Sequence, residues 1–223
     1  MAVKPFVIAD GTLEALKWLG LVLMALDHAN RFLFGDRLPF VFEAARLVMP
    51  LFGFVLAYHL SRPDALRRGV HVRVMRRLLL FGLLATAPFV ALVGWWPLNI
   101  LFTLLVAVAI LDLAERGRPM HQVAAGVLLT VGGMVVEFWW PALLCVMSAW
   151  AWCRQPTPGR LLLWAAATAI LGLVNGNLWS LLAVPLVLAA SRIDLHLPRW
   201  RLVFYGFYPA HLAALWLVQR LLA

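Results

Sequence analysis

The sequence predicts an all-α fold: a polytopic helical bundle integral to a membrane, with about nine transmembrane helices. Three observations carry this. Of 223 residues, 64% are hydrophobic and only 13% charged, a balance foreign to a soluble domain of this length. The apolar segments run well past strand length, and a chain in lipid must satisfy its backbone polar groups internally, which selects helices. The alternating ten-residue segments that mark a transmembrane β-barrel are not visible. The chain, 1–223, reads as a single domain.

The spans follow in order. The first, 13–34, contains the run "LKWLGLVLMALDHANRF", whose ionisable residues are Lys17, Asp27, His28 and Arg31. "GDRLP" separates it from the second, 39–60, and "SRPDALRRGVHVR" separates that from the third, 74–94. "GWWP" leads into 97–114, "ERGRP" into 120–137 and "EFWWP" into 140–153. "RQPTPGR" precedes 160–174, "NGN" precedes 177–190 and "SRIDLHLPRWR" precedes 200–222. Proline, glycine and asparagine punctuate these separators, and Trp95–Trp96 and Trp139–Trp140 suit an interfacial aromatic belt. The spans 140–153, 160–174 and 177–190 are short against the ~20 residues that cross a bilayer.

Charge fixes the expected orientation. If the loop 61–73 is cytoplasmic, that side holds Lys4, Arg62, Arg67, Arg68, Arg73, Arg76, Arg77, Arg116, Arg118, Arg154, Arg160, Arg192, Arg199 and Arg201. The opposite side holds only Arg37 and Arg220. Fourteen against two, alternating loop by loop, is a strong positive-inside signal. The N-terminus is therefore expected in the cytoplasm and the C-terminus in the periplasm. The net charge of +9 lies in short loops between spans, so it reads as topology and attraction to anionic phospholipid rather than as nucleic-acid binding. No cleavable signal peptide is expected, because the first span contains Asp27 and lacks a small-residue cleavage site. Cys145 and Cys153 read as buried packing residues, with no spacing for a metal.

Ionisable side chains inside spans mark functional sites by default. The first two spans carry Asp27, His28, Glu43 and Arg46, with Lys17 and Arg31 nearer the ends. Lys17 and His28 are eleven residues apart, three turns plus about 20°, so they share a face at a separation of about 16 Å. Asp27 is turned by about 100° from His28 and is expected to meet a neighbouring helix, pairing with Arg46 or Arg31. Pro50, four residues after Arg46, frees a carbonyl there and can kink the second span. The alternative is purely structural, with Asp27, Glu43 and Arg46 pairing inside the bundle.

Acyl transfer is one chemistry these groups can perform. It needs a general base or transient acyl carrier, for which His28 titrates in the right range. It also needs positive charge at the developing oxyanion, for which Arg46 or Lys17 serves, with Asp27 as electrostatic orienter. Arg67, Arg68, Arg73, Arg76 and Arg77 form a basic cluster able to clamp the phosphates of a ligand, or else simply set topology. Asn99 and Thr103 in "LNILFT" lie one turn apart, lining a cavity or bonding to backbone. Tyr208 and His211 in "FYPAHL" are candidates for the site or for interfacial packing. His59 and Asp112 are expected to be solvated at cytoplasmic ends, and His71, His121 and His196 to be loop residues without ligand spacing.

The ordered segments "LKWLGLVLMALDH", "ARLVMPLFGF", "RRLLLFGLLATAPF", "LNILFT" and "YGFYPAHL" resemble the TraX family of conjugative-pilus membrane proteins, its TrbP-like branch in particular. The resemblance spans essentially the whole chain. It implies an inner-membrane enzyme that acetylates the pilin N-terminus, with acetyl-CoA as donor, no metal, and a pilin subunit as partner. The Lys17-to-His28 spacing is also similar to the wider transmembrane acyltransferase group, where a basic residue and a histidine share the first helix and an arginine follows. Lys17, His28 and Arg46 match those positions, and Tyr208 and His211 would contribute to the site. Three other readings compete. They are a non-catalytic pilin assembly factor, an enzyme of another modification such as pilin cyclisation, and a transporter or lipid-handling protein. The last would be expected to show a pair of interrupted helices in an internal repeat, and no such repeat stands out.

Overall fold

The structure, a computed structural model, describes residues 6–200 and 202–222; Lys4 and Arg201 of the charge count lie outside them. Among the described residues, ten α-helices run in order. They are α1 (Asp10–Leu33), α2 (Pro39–Ala45), α3 (Val48–Ser61), α4 (Val70–Leu92), α5 (Ile100–Arg116), α6 (Pro119–Val135), α7 (Trp139–Arg154), α8 (Pro158–Asn175), α9 (Ala183–Ala190) and α10 (Val203–Leu222). A 3-10 turn, Trp179–Leu182, leads into α9. Helix ends follow local chemistry. Asn99 caps α5 by accepting from the Leu101 N–H, and Thr157 caps α8 with Pro158 in its first turn. Gly117 and Gly176 close α5 and α8 in left-handed conformation, where a side chain would be unfavourable.

Two expected helices are interrupted. The span 39–60 breaks at Arg46–Leu47 into α2 and α3. Pro50 has no N–H for the Arg46 carbonyl, so the ladder is cut at that point. The span 177–190 starts as the 3-10 turn, where the Asn177 side chain accepts from the Trp179 N–H.

α3 is central, packing on α1 and α7, while α10 packs along α4 and against α1. Leu51, Phe54, Ala57 and Leu60 of α3 are buried, and the Phe54 ring stacks on Trp164 of α8. The outer surface is apolar. Val123, Val127, Val131 and Met134 of α6 are all exposed along one helical stripe, a surface suited to lipid and not to water. Three segments, Pro39–Ser61 taken through its break, Val70–Leu92 and Pro158–Asn175, are long and apolar enough to cross a membrane.

The basic loops gather at one end. Asp10 bonds Arg62 at 2.7 Å and also pairs with Arg199, while Arg154 bonds Glu115 at 2.6 Å. The strap 191–200 crosses the start of α1, where the Thr12 hydroxyl donates to the Ile193 carbonyl and accepts from the Leu195 N–H. It lies so close that a Cβ on Gly11 would collide with the Leu195 carbonyl.

Candidate active site

A cavity of about 840 Å³ runs between α1, the α2–α3 break, α3, α4, the start of α5 and α10. Its volume suits a small-molecule site, for which several hundred Å³ is usual. Along α1 it is bordered in turn by Glu14, Lys17, Met24, Asp27, His28 and Arg31, so its long axis follows the helix.

At the basic end, Arg62, Arg68, Arg73, Arg77 and Arg199 line the cavity. Lys17 bonds Glu14 at 2.5 Å and sits over the Phe204 ring. His59 also borders this end, and His71, fully buried in the first turn of α4, lies 3.7 Å from Glu115. Asp10 stands at the mouth. Partial burial works against its charge, but the Arg62 and Arg199 guanidiniums hold its carboxyl below the usual value.

Eleven residues further along α1, the groups are tightly partnered. The Arg46 Nη2 donates to the Asp27 carboxylate at 2.7 Å, its Nε donates to the Phe42 carbonyl at 2.9 Å, and its guanidinium carbon lies 4.1 Å from the centroid of the Phe42 ring. The helix break places Arg46 outside a continuous ladder, free to turn into the cavity. Of its five N–H donors, those left over point to a capacity for a further anion.

His28 meets His211 of α10, Nδ1 to Nε2, at 2.7 Å, and His211 Nδ1 lies 2.9 Å from the Phe207 carbonyl. The order of donors follows from the last contact. A carbonyl only accepts, so His211 Nδ1 carries its proton and its Nε2 offers a lone pair. His28 Nδ1–H therefore donates to His211. That leaves His28 Nε2 unprotonated, the state a general base requires. Tyr208 borders the cavity beside both rings.

Glu137, in the turn between α6 and α7, also lines the cavity. Its N–H donates to the Leu98 carbonyl at 2.9 Å and its carbonyl accepts from the Thr103 hydroxyl at 2.9 Å. Phe138 and Trp139, which follow, both have left-handed backbones, φ 60° and 50°. Such residues cost on the order of 1–3 kcal/mol each and persist where the surroundings enforce them.

A family model described as TraX protein matches residues 12–219. The chain belongs to the TraX family. It is 30% identical to Protein TraX of Escherichia coli, over 93% of this chain and 87% of the relative. A second Protein TraX, from Escherichia coli strain K12, matches at the same identity and coverage. No solved structure matches.

On this TraX-family framework the expected residues sort clearly. Asp27, His28, Arg46, Lys17 and Tyr208 border one cavity, and His211 backs it through His28. The "DH" pair splits as helix phase requires, Asp27 to Arg46 and His28 to α10. Lys17 belongs to the basic end, paired with Glu14, not beside His28. Of the proposed phosphate clamp, Arg68, Arg73 and Arg77 line the cavity. Arg67 and Arg76 do not: Arg67 is exposed and pairs with Asp64, and Arg76 is exposed on the outer face of α4. Arg62 and Arg199 take their place, because the strap folds back over α1.

Asn99 and Thr103 do not line the cavity. Asn99 caps α5 and donates to the Gly82 carbonyl, and Thr103 holds Glu137 from behind. Glu43 is half-buried and has no ion pair among the described residues. His59 and Asp112 are not solvated as expected, and His71 is not a loop residue but lies in the first turn of α4. His59 borders the cavity, Asp112 is buried under two bonds from Arg116, and His71 is fully buried. His121 sits in the first turn of α6 and His196 is exposed on the strap. Cys145 and Cys153 are buried free thiols. Glu14 and Glu137 escaped the sequence reading. Glu14 had a usable signal, three residues before Lys17 on one helix face. Glu137 had none, being one acid in a loop-like "EFWWP".

Proposed function

We propose that this chain is an inner-membrane acyltransferase that moves an acetyl group from cytoplasmic acetyl-CoA to the N-terminal amine of a conjugative pilin. The observation that carries this reading is the single cavity, with five arginines at one end and a base-competent histidine beside Arg46 further in. Arginine forks suit the phosphates of coenzyme A, and the positive-inside rule puts that end in the cytoplasm. The pantetheine arm would lie along the Lys17–His28 face of α1 and bring the thioester to His28.

His28 Nε2 would take the proton released as the acceptor attacks the thioester carbonyl, and the free Arg46 donors would stabilise the oxyanion. His211 would hold the His28 ring in the required tautomer, and Asp27 would fix Arg46. The pilin role comes from the family resemblance, and the far end of the cavity, where Asp36, Pro97, Trp139 and Asn175 form its border, suits an acceptor arriving from the other face.

Intact-mass analysis of pilin from cells carrying the wild type or His28→Ala tests the reading. The acetyl increment is expected to vanish while the variant remains membrane-inserted. Pilin that keeps the increment with His28→Ala removes His28 from the chemistry, and pilin that lacks it with the wild type removes the activity.

A further inference from the structure

Four carboxylates border the cavity: Glu14, Asp27, Asp36 and Glu137. Glu14 is paired with Lys17 and Asp27 with Arg46, while Asp36 is exposed in the loop after α1. Glu137 has no ion-pair partner among the described residues; it lines the cavity near Tyr208, in the field of Arg31, Arg46 and Asp27, and its carboxyl accepts from the Ile100 N–H.

Its backbone is held unusually firmly for a turn. Leu98 bridges it on one side, through Leu98 N–H to the Val135 carbonyl at 2.8 Å and the Glu137 N–H to the Leu98 carbonyl at 2.9 Å. Thr103 grips its carbonyl, Asn99 anchors the start of α5 against α4, and the left-handed pair Phe138–Trp139 follows at once. A carboxylate that lines the cavity without an ion-pair partner and is braced from three directions is fitted to receive a cation brought by a ligand.

We propose that Glu137 is the acceptor-recognition residue, binding the substrate as a primary ammonium and taking the first of its two protons. This deepens the acyl-transfer reading and rests on it. An amine arrives as R–NH3+ and must lose a proton before it can attack. Glu137 accepts that proton as the ammonium docks, leaving R–NH2 close to His28 and Tyr208. The N–C bond then forms as the C–S bond of the thioester breaks. His28 Nε2 removes the second proton from nitrogen and returns it to the coenzyme A thiolate. Glu137 releases the first to solvent, so the sum is ammonium plus thioester giving amide, thiol and one proton. The carboxylate thereby selects amines over hydroxyls, since a neutral acceptor gains nothing from it.

The test uses the full-length protein in detergent or nanodiscs with acetyl-CoA and two short peptides, identical except that one carries an N-terminal amine and the other a hydroxyl in its place. Wild type is expected to favour the amine peptide. Glu137→Gln is expected to raise KM for the amine peptide by roughly tenfold to a hundredfold, the range for loss of a charge-assisted bond, and to leave the hydroxyl peptide and acetyl-CoA binding unchanged. Its rate should also keep climbing with pH through the ~7.7–8.0 range of a peptide α-amine, where wild type has already levelled. Glu137→Asp should recover part of the preference. Equal losses on both peptides, or no loss on either, overturn the assignment while leaving acetyl transfer standing. If wild type acetylates neither peptide, binding of the amine peptide to His28→Ala, with and without Glu137→Gln, still decides. Weaker binding in the double variant supports the carboxylate receptor, unchanged binding rejects it, and the acyl-transfer reading fails separately.

Discussion

The two ends of the cavity use charge in opposite ways. At the basic end, Arg62, Arg68, Arg73, Arg77 and Arg199 outnumber the acids they face, and Asp10 is shared between two of them. Around Arg46 and His28, apart from Glu137, the charged and imidazole groups are linked in single contacts: Asp27 with Arg46, His28 with His211, His211 with the Phe207 carbonyl. A surplus of cations near solvent attracts an anion and tolerates the loss of one member. A chain of one-to-one contacts in a low-dielectric interior sets geometry, and each link is irreplaceable.

Breaking the partnered end should therefore have the largest effect. Asp27→Ala leaves the half-buried Arg46 without its carboxylate and is expected to cost up to about 3 kcal/mol, the low end for breaking a buried pair, read as a fall in the thermal midpoint of the detergent-solubilised protein together with loss of transfer. The double variant Asp27→Leu with Arg46→Met should regain much of that stability and none of the activity, which separates the pair's two jobs. His211→Ala comes next. It removes the acceptor for His28 Nδ1–H, frees the tautomer, and should lower kcat by roughly a hundredfold, the lower bound for positioned acid–base catalysis, with KM for acetyl-CoA unchanged.

The basic end should respond weakly and additively. Arg68→Ala, Arg73→Ala or Arg77→Ala should each raise KM for acetyl-CoA by about threefold to tenfold, and 0.5 M salt should erase most of the difference, because exposed charges are screened. A single arginine whose loss abolishes binding would end the contrast between the two ends. The smallest effect belongs to Asp10→Asn, under about 1 kcal/mol for a half-exposed carboxylate. The folded state holds this carboxyl below its ordinary 3.8. Its contribution is therefore present above that value and lost as pH falls through the lower folded-state value. Variant and wild-type midpoints should converge only in strong acid.

Most of the helices were legible because apolar length and helix-breaking residues act locally. The second span shows the limit: Pro50 announced a kink, but only the fold shows the ladder opening at Arg46 and turning that side chain inward. Helix phase separated Asp27 from His28 correctly, since both lie on one helix whose period is known. The errors arose between elements. Arg199 reaches the mouth because the strap crosses α1, and Glu137 enters the cavity because Leu98 and Thr103 hold a turn far away in sequence. Arg67 and Arg76 looked equivalent to Arg68 and Arg77, but helix facing divides them.

The position of α10 has a temporal consequence. His28 leaves the ribosome in α1, whereas His211 and Tyr208 follow in α10, after every other described helix. Until α10 docks along α4 and α1, the nascent protein has an imidazole with no partner to fix its proton and a cavity with one wall missing. The His28–His211 contact and the last wall of the cavity thus arrive together, in a single late step.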